Sequence, residues 1–446
     1  MSEQPMAPFS THVQAPRYLT ADVAGIGGAI KQRDPDFVVE EVPLYEPCGE
    51  GEHLYLFVEK RGMSTMDMTS TLARHFGVSA RAVGTAGLKD KRAFTRQVVS
   101  VHVPGRDMAD FRSLEHPRLT VLWADRHANK LKRGHLLGNR FVIKVRDVDP
   151  TSVRNAKAIL DRLASTGVPN RIGKQRFGYL HNNHLIGRAM LLARYAEALD
   201  LLLSPHELSP ESQREAREHH AAGDYARALE TWPRVYQAER RALAALAKGG
   251  DAERAIRAID PTQASFYISS FQSAVFNGVL ERRVEDEALD RFEPGDLAFV
   301  QKRRVCFPIT EENVSDPDTV ARLHAFEIGP SGPMWGGEMM RAGGAVDERE
   351  VAALAEAGMG PEDLHGVELK NLEMIRGERR PLRIPLRDPD VEGGVDEHGA
   401  YVQCSFELPR GAFATTVMDE VMKGDPLADE VRQRGDRRNR GMAADG

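Results

Sequence analysis

The sequence predicts an α+β protein in which one domain interrupts another. Residues from about 25 to 147 alternate extended apolar runs with one clear helix, whereas Ala- and Leu-rich helical patterns dominate from about 168 to 383. A strand pattern then returns at 401–408. Because 446 residues exceed one ordinary hydrophobic core, two domains are the default expectation. The helical segment is therefore interpreted as an insertion into a domain built around an antiparallel or mixed sheet.

The first segment supplies a series of strand patterns and one well-marked helix. The helix begins after Ser64 and ends at Gly77, residues typical of an N-cap and a C-terminal stop. Its apolar face carries Met68, Leu72 and Phe76. The strands are predicted at 37–42, 53–60, 97–103, 119–124 and 141–148.

Helical patterns dominate the rest of the chain. A helix over 152–166 is stopped by Gly167 and Pro169. Later helices are predicted at 184–203, 225–231, 239–247, 263–285, 348–357 and 415–423, with Gly- and Pro-rich loops such as 329–337 between them. These patterns predict four parts: a disordered lead-in at 1–17, one domain formed by 18–167 and 384–424, an inserted domain at 168–383, and a disordered basic tail at 425–446.

Local charge, rather than net charge, indicates where an anionic partner would bind. The formal net charge is −6 at pH 7. Residues 126–140 nevertheless contain several Lys and Arg and no acidic residue, and 431–440 is rich in arginine. Phosphate contacts require such local patches. Lys130, Lys132 and Arg133 are the candidates in the first patch.

Other classes of protein find little support in the composition. The three cysteines, Cys48, Cys306 and Cys404, are isolated, which suits a reducing cytoplasm and argues against disulfides or a zinc ribbon. No apolar run approaches the ~18 residues of a membrane helix, and the N-terminus lacks a secretory pattern. Residues 167–174 fail the P-loop spacing, and no glycine-rich loop fits a dinucleotide. We therefore predict no cofactor and no metal.

The stretch 84–97 carries the strongest chemical signal. One carboxylate, Asp90, lies among four cations, Lys89, Lys91, Arg92 and Arg96. Nearby positive charge keeps a carboxylate ionised, so Asp90 could act as a nucleophile or base toward a phosphate-bearing substrate. A solvated turn with a charge run explains the same residues equally well.

The run AGLKDKRAFTRQ at 86–97 resembles the catalytic-aspartate segment of the TruD family of pseudouridine synthases. Further blocks resemble that family in the same order: KQRDPDFVVEE at 31–41, GNRF at 138–141, GVPNRIGKQRFG at 167–178, SFQSAVFNGVLERR at 270–283 and FELPRGAFATTV at 406–417. The resemblance implies a pseudouridine-synthase-like catalytic domain interrupted by a mainly helical α+β insert, the TRUD domain. One departure is that Arg171 and Ile172 stand where the family usually has an aromatic pair.

The resemblance also implies an activity. The family isomerises a tRNA uridine, typically at position 13, to pseudouridine, without a cofactor. Asp90 is then the catalytic residue, with Arg92 or Lys31 as the cation that keeps it ionised. The implied protein binds tRNA, acts in the cytoplasm as a monomer and contacts no membrane. A non-catalytic RNA-binding or chaperone protein on the same fold is the alternative; a methyltransferase would need a glycine-rich cofactor loop.

The implied base pocket contains Phe37, Asn139 and Phe413. Flipped bases stack on aromatic side chains, and an Asn amide can pair with the edge of uracil. On periodicity alone Phe37 is a core residue of a strand, Asn139 is an ordinary turn residue, and Phe413 is a loop aromatic, which is more often functional. Further substrate-binding candidates are Phe141, Lys89 and Lys31, and Arg176 is a candidate for RNA-backbone or hinge contacts.

Overall fold

The computed structural model describes residues 16–89, 91, 93–364 and 376–424. Asp90 and Arg92, the lead-in up to residue 15 and the tail at 425–446 lie outside the described residues. The chain divides into two compact units. The sheet unit comprises Tyr18–Val168 and the chain from Ile384 onward, and the inserted unit comprises Pro169–Arg383 with the residues up to Arg17.

The elements of the described chain are numbered in chain order. Strands β1 to β14 are Phe37–Pro43, His53–Lys60, Val83–Thr85, Phe94–His102, Leu119–His127, Leu136–Arg146, Val168–Pro169, Leu297–Val300, Val305–Pro308, Ile328–Met334, Glu378–Pro381, Arg383–Ile384, Arg387–Asp396 and Gly399–Pro409. Helices α1 to α13 are Thr65–Phe76, Val153–Thr166, Asn183–Leu191, Tyr195–Leu203, Arg214–Ala221, Tyr225–Thr231, Gln237–Leu246, Ala252–Arg257, Pro261–Glu285, Glu311–Val314, Pro317–His324, Gly344–Glu356 and Ala414–Met422.

The sheet unit is built on one mixed sheet. Its strand order is β13-β14-β6-β1-β4-β2-β5, with β3 paired to β4. Strands β1 and β4 run parallel, and β1 pairs with β6 antiparallel. The predicted α+β class with a mixed sheet is therefore confirmed.

Helices cover one face of this sheet. Helix α1 packs Met68, Leu72 and Phe76 against the apolar side chains of β2 and β4. Helices α2 and α13 pack on a second cluster, which contains Phe37 and Phe141. The predicted α1 is confirmed with its boundaries, because Ser64 and Asp67 form a capping box and Gly77 ends the helix in the left-handed conformation at φ 65°.

Strand β13 was not predicted from the sequence. Its residues, RDPDVEGGVD, lack alternating apolar positions and are mostly exposed. The strand forms because it pairs along β14 from Arg387 to Asp396 at the edge of the sheet. Backbone pairing to a well-patterned neighbour has outweighed weak local propensity.

The inserted unit combines helices with a four-stranded sheet of order β11-β10-β8-β9. The predicted helix over 184–203 is wrong as a single element: it breaks into α3 and α4, because Ala193 adopts φ 53° and the Arg194 N–H bonds back to the Ala189 carbonyl. The predicted loop over 329–337 is also wrong, since it contains the buried strand β10. Gly332 of that strand lies against the Phe276 ring, where a Cβ atom would come within 3.1 Å.

Arg17, the last residue of the predicted disordered lead-in, has a defined position. The Arg17 backbone N–H donates to Glu281 Oε2 at 2.7 Å, and its guanidinium pairs with Glu285 on the same helix, α9. The expected disorder therefore does not extend to Arg17. Among the described residues, no helix has the length and apolarity needed to cross a membrane.

Candidate active site

Helix α1 fixes the backbone of the residue that precedes Asp90. The Lys89 N–H donates to Thr65 Oγ1 at 3.0 Å, and Thr65 is the buried first residue of α1. The capping box at Ser64 anchors that end of the helix. The position of Lys89 is therefore set by a rigid element rather than by a free turn.

The Lys89 side chain joins a buried polar group on the sheet. Its Nζ lies 3.0 Å from Glu41 Oε2 and donates to Asn139 Oδ1 at 2.7 Å. Glu41 and Asn139 are direct neighbours in the antiparallel register of β1 and β6. The side chains of Lys89 and Glu41 are only 6% and 1% exposed. We call Glu41, Lys89 and Asn139 the polar trio.

Burial dominates the electrostatics of the polar trio. Loss of solvent raises the pKa of the Glu41 carboxyl, and the Lys89 ammonium opposes that rise. A buried carboxylate without its cation would carry a large desolvation cost. Gln97 follows Arg96 on β4, and Arg96 is paired in register with Glu40, so Gln97 lies beside Glu41 on the same face. Gln97 is fully buried, and neither atom of its amide has a hydrogen-bond partner among the described residues.

The cations near Asp90 in sequence separate in space. Arg96 points to the opposite face from Glu41 and pairs with Glu40 at 3.2 Å and Glu59 at 3.1 Å. Lys91 is exposed. Lys89 is engaged by Glu41. Lys89 and Arg96 therefore each have a carboxylate partner other than Asp90, while Lys91 is exposed.

Phe37 and Phe141 meet on the helix-covered face of the sheet. Their ring centroids are 6.4 Å apart in an edge-to-face arrangement. Phe37 is 4% exposed and belongs to the core, and Lys31 Nζ lies 4.6 Å from the centroid of its ring. These three candidates are thus in contact with one another, with the Lys31 ammonium over the Phe37 face.

Residues 130–134, which we call the basic loop, are tied to the segment that precedes Asp90. The Gly134 N–H donates to the Ala86 carbonyl at 2.8 Å, and the Leu131 N–H donates to Ser100 Oγ at 2.9 Å. Gly84 permits this packing, since a Cβ atom there would come within 2.4 Å of the Leu131 carbonyl oxygen. The loop is therefore held against residues 84–86, which precede Asp90 in the sequence.

The three basic side chains of this loop differ from one another. Lys132 and Arg133 are exposed. Lys130 is half-buried, and its ammonium donates to the Arg81 carbonyl. Lys132 and Arg133 are therefore open to an external phosphate, whereas Lys130 already has an internal partner.

The turn that carries Phe413 joins the same group of loops. The Arg410 N–H donates to the Leu137 carbonyl, and its guanidinium donates to the Gly134 carbonyl at 2.7 Å. Phe413 directly precedes α13 and is 59% exposed, unlike the buried Phe37. An exposed aromatic side chain beside a basic loop is suited to stacking on an RNA base.

The 167–178 block has internal roles in the inserted unit. Arg171 is buried and its Nε donates to Glu281 at 2.6 Å, while the Asn277 amide bonds both backbone groups of Ile172. At the two positions where the family usually has an aromatic pair, Arg171 and Ile172 therefore make polar contacts to α9. Arg176 lies over the Phe266 ring at 5.0 Å, and burial lowers its pKa.

Three polar residues of the site were not singled out from the sequence: Glu41, Thr65 and Gln97. Glu41 had a detectable signal, because it alternates with Phe37 and Val39 and so falls on their core-facing side. A carboxylate at a core position predicts a buried partner. Nothing in the local pattern identifies that partner as Lys89.

Comparisons with known proteins agree with this architecture. A family model described as tRNA pseudouridine synthase D (TruD) matches residues 15–421. The chain is 44% identical to tRNA pseudouridine synthase D of Geobacter metallireducens over 92% of this chain and 98% of that one. It is 35% identical to the protein of that name from Anaeromyxobacter dehalogenans, over 92% of this chain and 96% of that one.

A solved structure is also similar. The crystal structure of a Methanosarcina mazei protein provisionally described as tRNA pseudouridine synthase D covers 95% of this chain and 100% of its own, with a TM-score of 0.82 and 29% identity. A mixed sheet with an inserted, mainly helical unit is thus a fold that this chain shares with a solved structure. The chain belongs to the TruD family of pseudouridine synthases, which confirms the resemblance carried by its motifs.

Proposed function

We propose that the protein is a tRNA pseudouridine synthase that isomerises uridine 13 of tRNA, with Asp90 as the catalytic residue. The observation that carries the proposal is the fixed position of Lys89, which α1 holds through Thr65 and the polar trio holds through its side chain. A catalytic group next to such an anchor is preorganised. The names of the relatives support this activity over a non-catalytic RNA-binding role.

The chemistry needs one well-placed carboxylate. The N1–C1′ glycosidic bond of the uridine breaks, the uracil turns, and C5 bonds to C1′; C5 then loses its proton and N1 gains one, so the reaction is an isomerisation without net redox change. Asp90 attacks as a nucleophile or stabilises and traps the sugar cation. Phe413 and the Phe37–Phe141 pair are the candidate walls for the flipped base, and Lys132 and Arg133 are the candidate phosphate contacts. The protein then acts on tRNA in the cytoplasm as a monomer.

Asp90→Asn tests the assignment of the catalytic group. The amide keeps the shape of the side chain but is a poor nucleophile, so we expect no detectable pseudouridine in purified tRNA and near-normal tRNA affinity. Pseudouridine is mapped in tRNA from cells that lack the gene, after incubation with wild-type or variant protein.

Asp390→Asn is the matched control, because Asp390 is exposed on the edge strand β13. It should retain wild-type turnover at position 13. Normal turnover by Asp90→Asn would remove Asp90 from the mechanism. Modification by the wild type at another position would leave the chemistry intact and overturn only the site in tRNA.

A further inference from the structure

We propose that Glu41 and Lys89 orient the Asn139 amide so that it offers a hydrogen-bond donor to the target base, and that this donor selects uracil over cytosine. The inference rests on the proposed function, because it concerns the base that the site accepts. Glu41 and Lys89 are positioning residues in this account, and Asn139 contacts the substrate.

The orientation of the Asn139 amide follows from the chemistry of its neighbour. A lysine ammonium has three N–H donors and no acceptor. The Asn139 atom 2.7 Å from Lys89 Nζ must therefore be Oδ1, which removes the usual ambiguity between the two ends of an amide. The Nδ2 group points away from Lys89, and no residue in the described part of the chain accepts its protons. With respect to these residues it is available to a ligand.

Glu41 keeps the ammonium in place. The Lys89 side chain is almost completely buried, and a buried ammonium is retained only beside a countercharge. Glu41 supplies that charge, with its Oε2 atom 3.0 Å from Lys89 Nζ. Glu41 is also the residue paired with Asn139 on the neighbouring strand. Without Glu41, the Lys89 ammonium would be buried without a countercharge and would turn toward solvent, and the Asn139 amide could then rotate.

The backbone of Asn139 is also held. Gly138 precedes it, and a Cβ atom at Gly138 would come within 2.2 Å of the Leu408 carbonyl oxygen on β14. Asn139 itself pairs with Leu408 on β14 and Glu41 on β1. A central strand therefore fixes the Asn139 Cα, and the polar trio fixes its side-chain rotation.

A donor at this place distinguishes the two pyrimidines. In the proposal the Nδ2 group faces position 4 of the base, where uracil presents the O4 acceptor and cytosine presents an amino donor. If the cytosine amino group faces an amide N–H, two hydrogen-bond donors meet and neither has an acceptor. Sites that hydrogen-bond a substrate reject an analogue lacking the complementary group strongly. A rotated amide would instead present Oδ1 and accept the cytosine amino group.

The experiment measures binding in the Asp90→Asn background, so that no turnover occurs. The probes are two tRNAs that differ only in carrying uridine or cytidine at the modified position. The ratio of their Kd values reports base selection, because phosphate contacts are common to both. We expect a preference for uridine of roughly 10- to 100-fold, which Glu41→Gln lowers toward 1 and Asn139→Asp reverses, since a carboxylate can only accept.

The matched control is Glu40→Gln, the same change on the adjacent residue, whose side chain points to the opposite face and pairs with Arg96. It should leave the ratio unchanged. Combining Glu41→Gln with Lys89→Met removes both buried charges and guards against misfolding from an unpaired ammonium; it should also abolish the preference.

An unchanged ratio in Asn139→Asp would overturn the proposal. A ratio that changes in Asn139→Asp but not in Glu41→Gln or the double variant would overturn the orienting role of Glu41 and Lys89. These outcomes are independent of the proposed function, which fails separately if wild-type protein forms no pseudouridine.

Discussion

Buried charge in the sheet unit is found on neighbouring strands in two different settings. Glu41 of β1 lies against the candidate active site, where Lys89 neutralises it. Arg146 at the end of β6 donates to Asp36 at 2.6 Å and to Asp396 at 2.6 Å, away from the polar trio. The Asp36 side chain is almost completely buried, whereas Asp396 is partly exposed. The Glu41–Lys89 pair belongs to the candidate active site, whereas the contacts of Arg146 with Asp36 and Asp396 stabilise the end of the sheet.

We predict that Arg146→Met strongly destabilises the protein. The change leaves the buried Asp36 carboxylate without its cation, a defect that typically costs about 3–5 kcal/mol in the free energy of unfolding. Urea denaturation at pH 7 measures it. Lys157→Met is the control, because the Lys157–Asp161 pair is half-exposed on α2 and should be worth less than about 0.5 kcal/mol. Equal effects of the two substitutions would contradict the structural role of Arg146.

The contact between Arg146 and Asp396 leads us to predict that the stability of the protein depends on pH. Hydrogen bonds from Arg146, joined by Lys144, hold the pKa of Asp396 well below its usual value. The unfolded carboxyl therefore binds protons at a higher pH than the folded one, so stability from this contact is present above about pH 4 and is lost as pH falls below it. The acid-induced loss of stability should be smaller in Arg146→Met. Urea denaturation curves of the wild type and of Arg146→Met, measured between pH 5 and pH 3, test this expectation.

At the scale of elements, the basic loop connects strand β4 with the segment that precedes Asp90 in the sequence. Its backbone is bonded to Ala86 and Ser100, and the Phe413 turn is bonded to its last residue, Gly134. Three separate stretches of sequence are therefore brought together by backbone and side-chain hydrogen bonds. Two of them present exposed side chains suited to RNA: Lys132 and Arg133 on one, and Phe413 on the other.

We predict that Lys132→Ala with Arg133→Ala weakens tRNA binding and flattens its salt dependence. Each lost phosphate contact releases one fewer counterion, so the slope of log K against log salt should fall in magnitude by roughly 0.7–0.9 per contact. The measurement is tRNA affinity at several salt concentrations. Lys130→Ala should change the slope less, because its ammonium is bound to the Arg81 carbonyl.

Lys302 and Arg303 provide a matched pair for this test. They are also adjacent, exposed and basic, but they lie between β8 and β9 in the inserted unit. If their replacement by alanine flattens the slope while the loop substitutions have little effect, the RNA backbone path runs over the inserted unit instead.

At the scale of the whole molecule, each unit has a hydrophobic core of its own. The sheet unit buries apolar residues between its sheet and helices α1, α2 and α13. The inserted unit buries a separate cluster among its helices, including Trp232 and Tyr267. Cys404 lies in the first core, Cys306 is half-buried in the inserted unit, and Cys48 is exposed. The free thiols therefore report on different parts of the molecule.

We predict that the cysteines react with a maleimide in the order Cys48, Cys306, Cys404. Burial raises the pKa of the Cys404 thiol to about 12, so it is both inaccessible and protonated in the folded protein. Its modification should require unfolding of the sheet unit and should follow the denaturation curve measured by circular dichroism. Peptide mass spectrometry after timed labelling identifies each site. Rapid labelling of Cys404 in native buffer would show that the sheet unit opens readily.

Features encoded by short stretches could be predicted from the sequence. Helix α1 was predicted with both ends, because Ser64 and Gly77 act through neighbouring backbone groups. Strand β2 follows from the alternation in residues 53–60. Strand β10 could not be predicted, since its glycines and prolines are typical of loops and only burial between two other strands makes it extended.

The fold class, the family and the candidate role of Asp90 could be predicted from the sequence, because motif identity and local periodicity do not depend on distant contacts. The partner of each charged side chain could be identified only from tertiary contacts. In the structure, Lys89 contacts Glu41 and Asn139, Arg96 pairs on the opposite face, and Lys130 donates to a carbonyl. The physical reason is strand register: Glu41 and Asn139 are neighbours through pairing of distant segments, and long-range pairing leaves no periodic signal in the sequence.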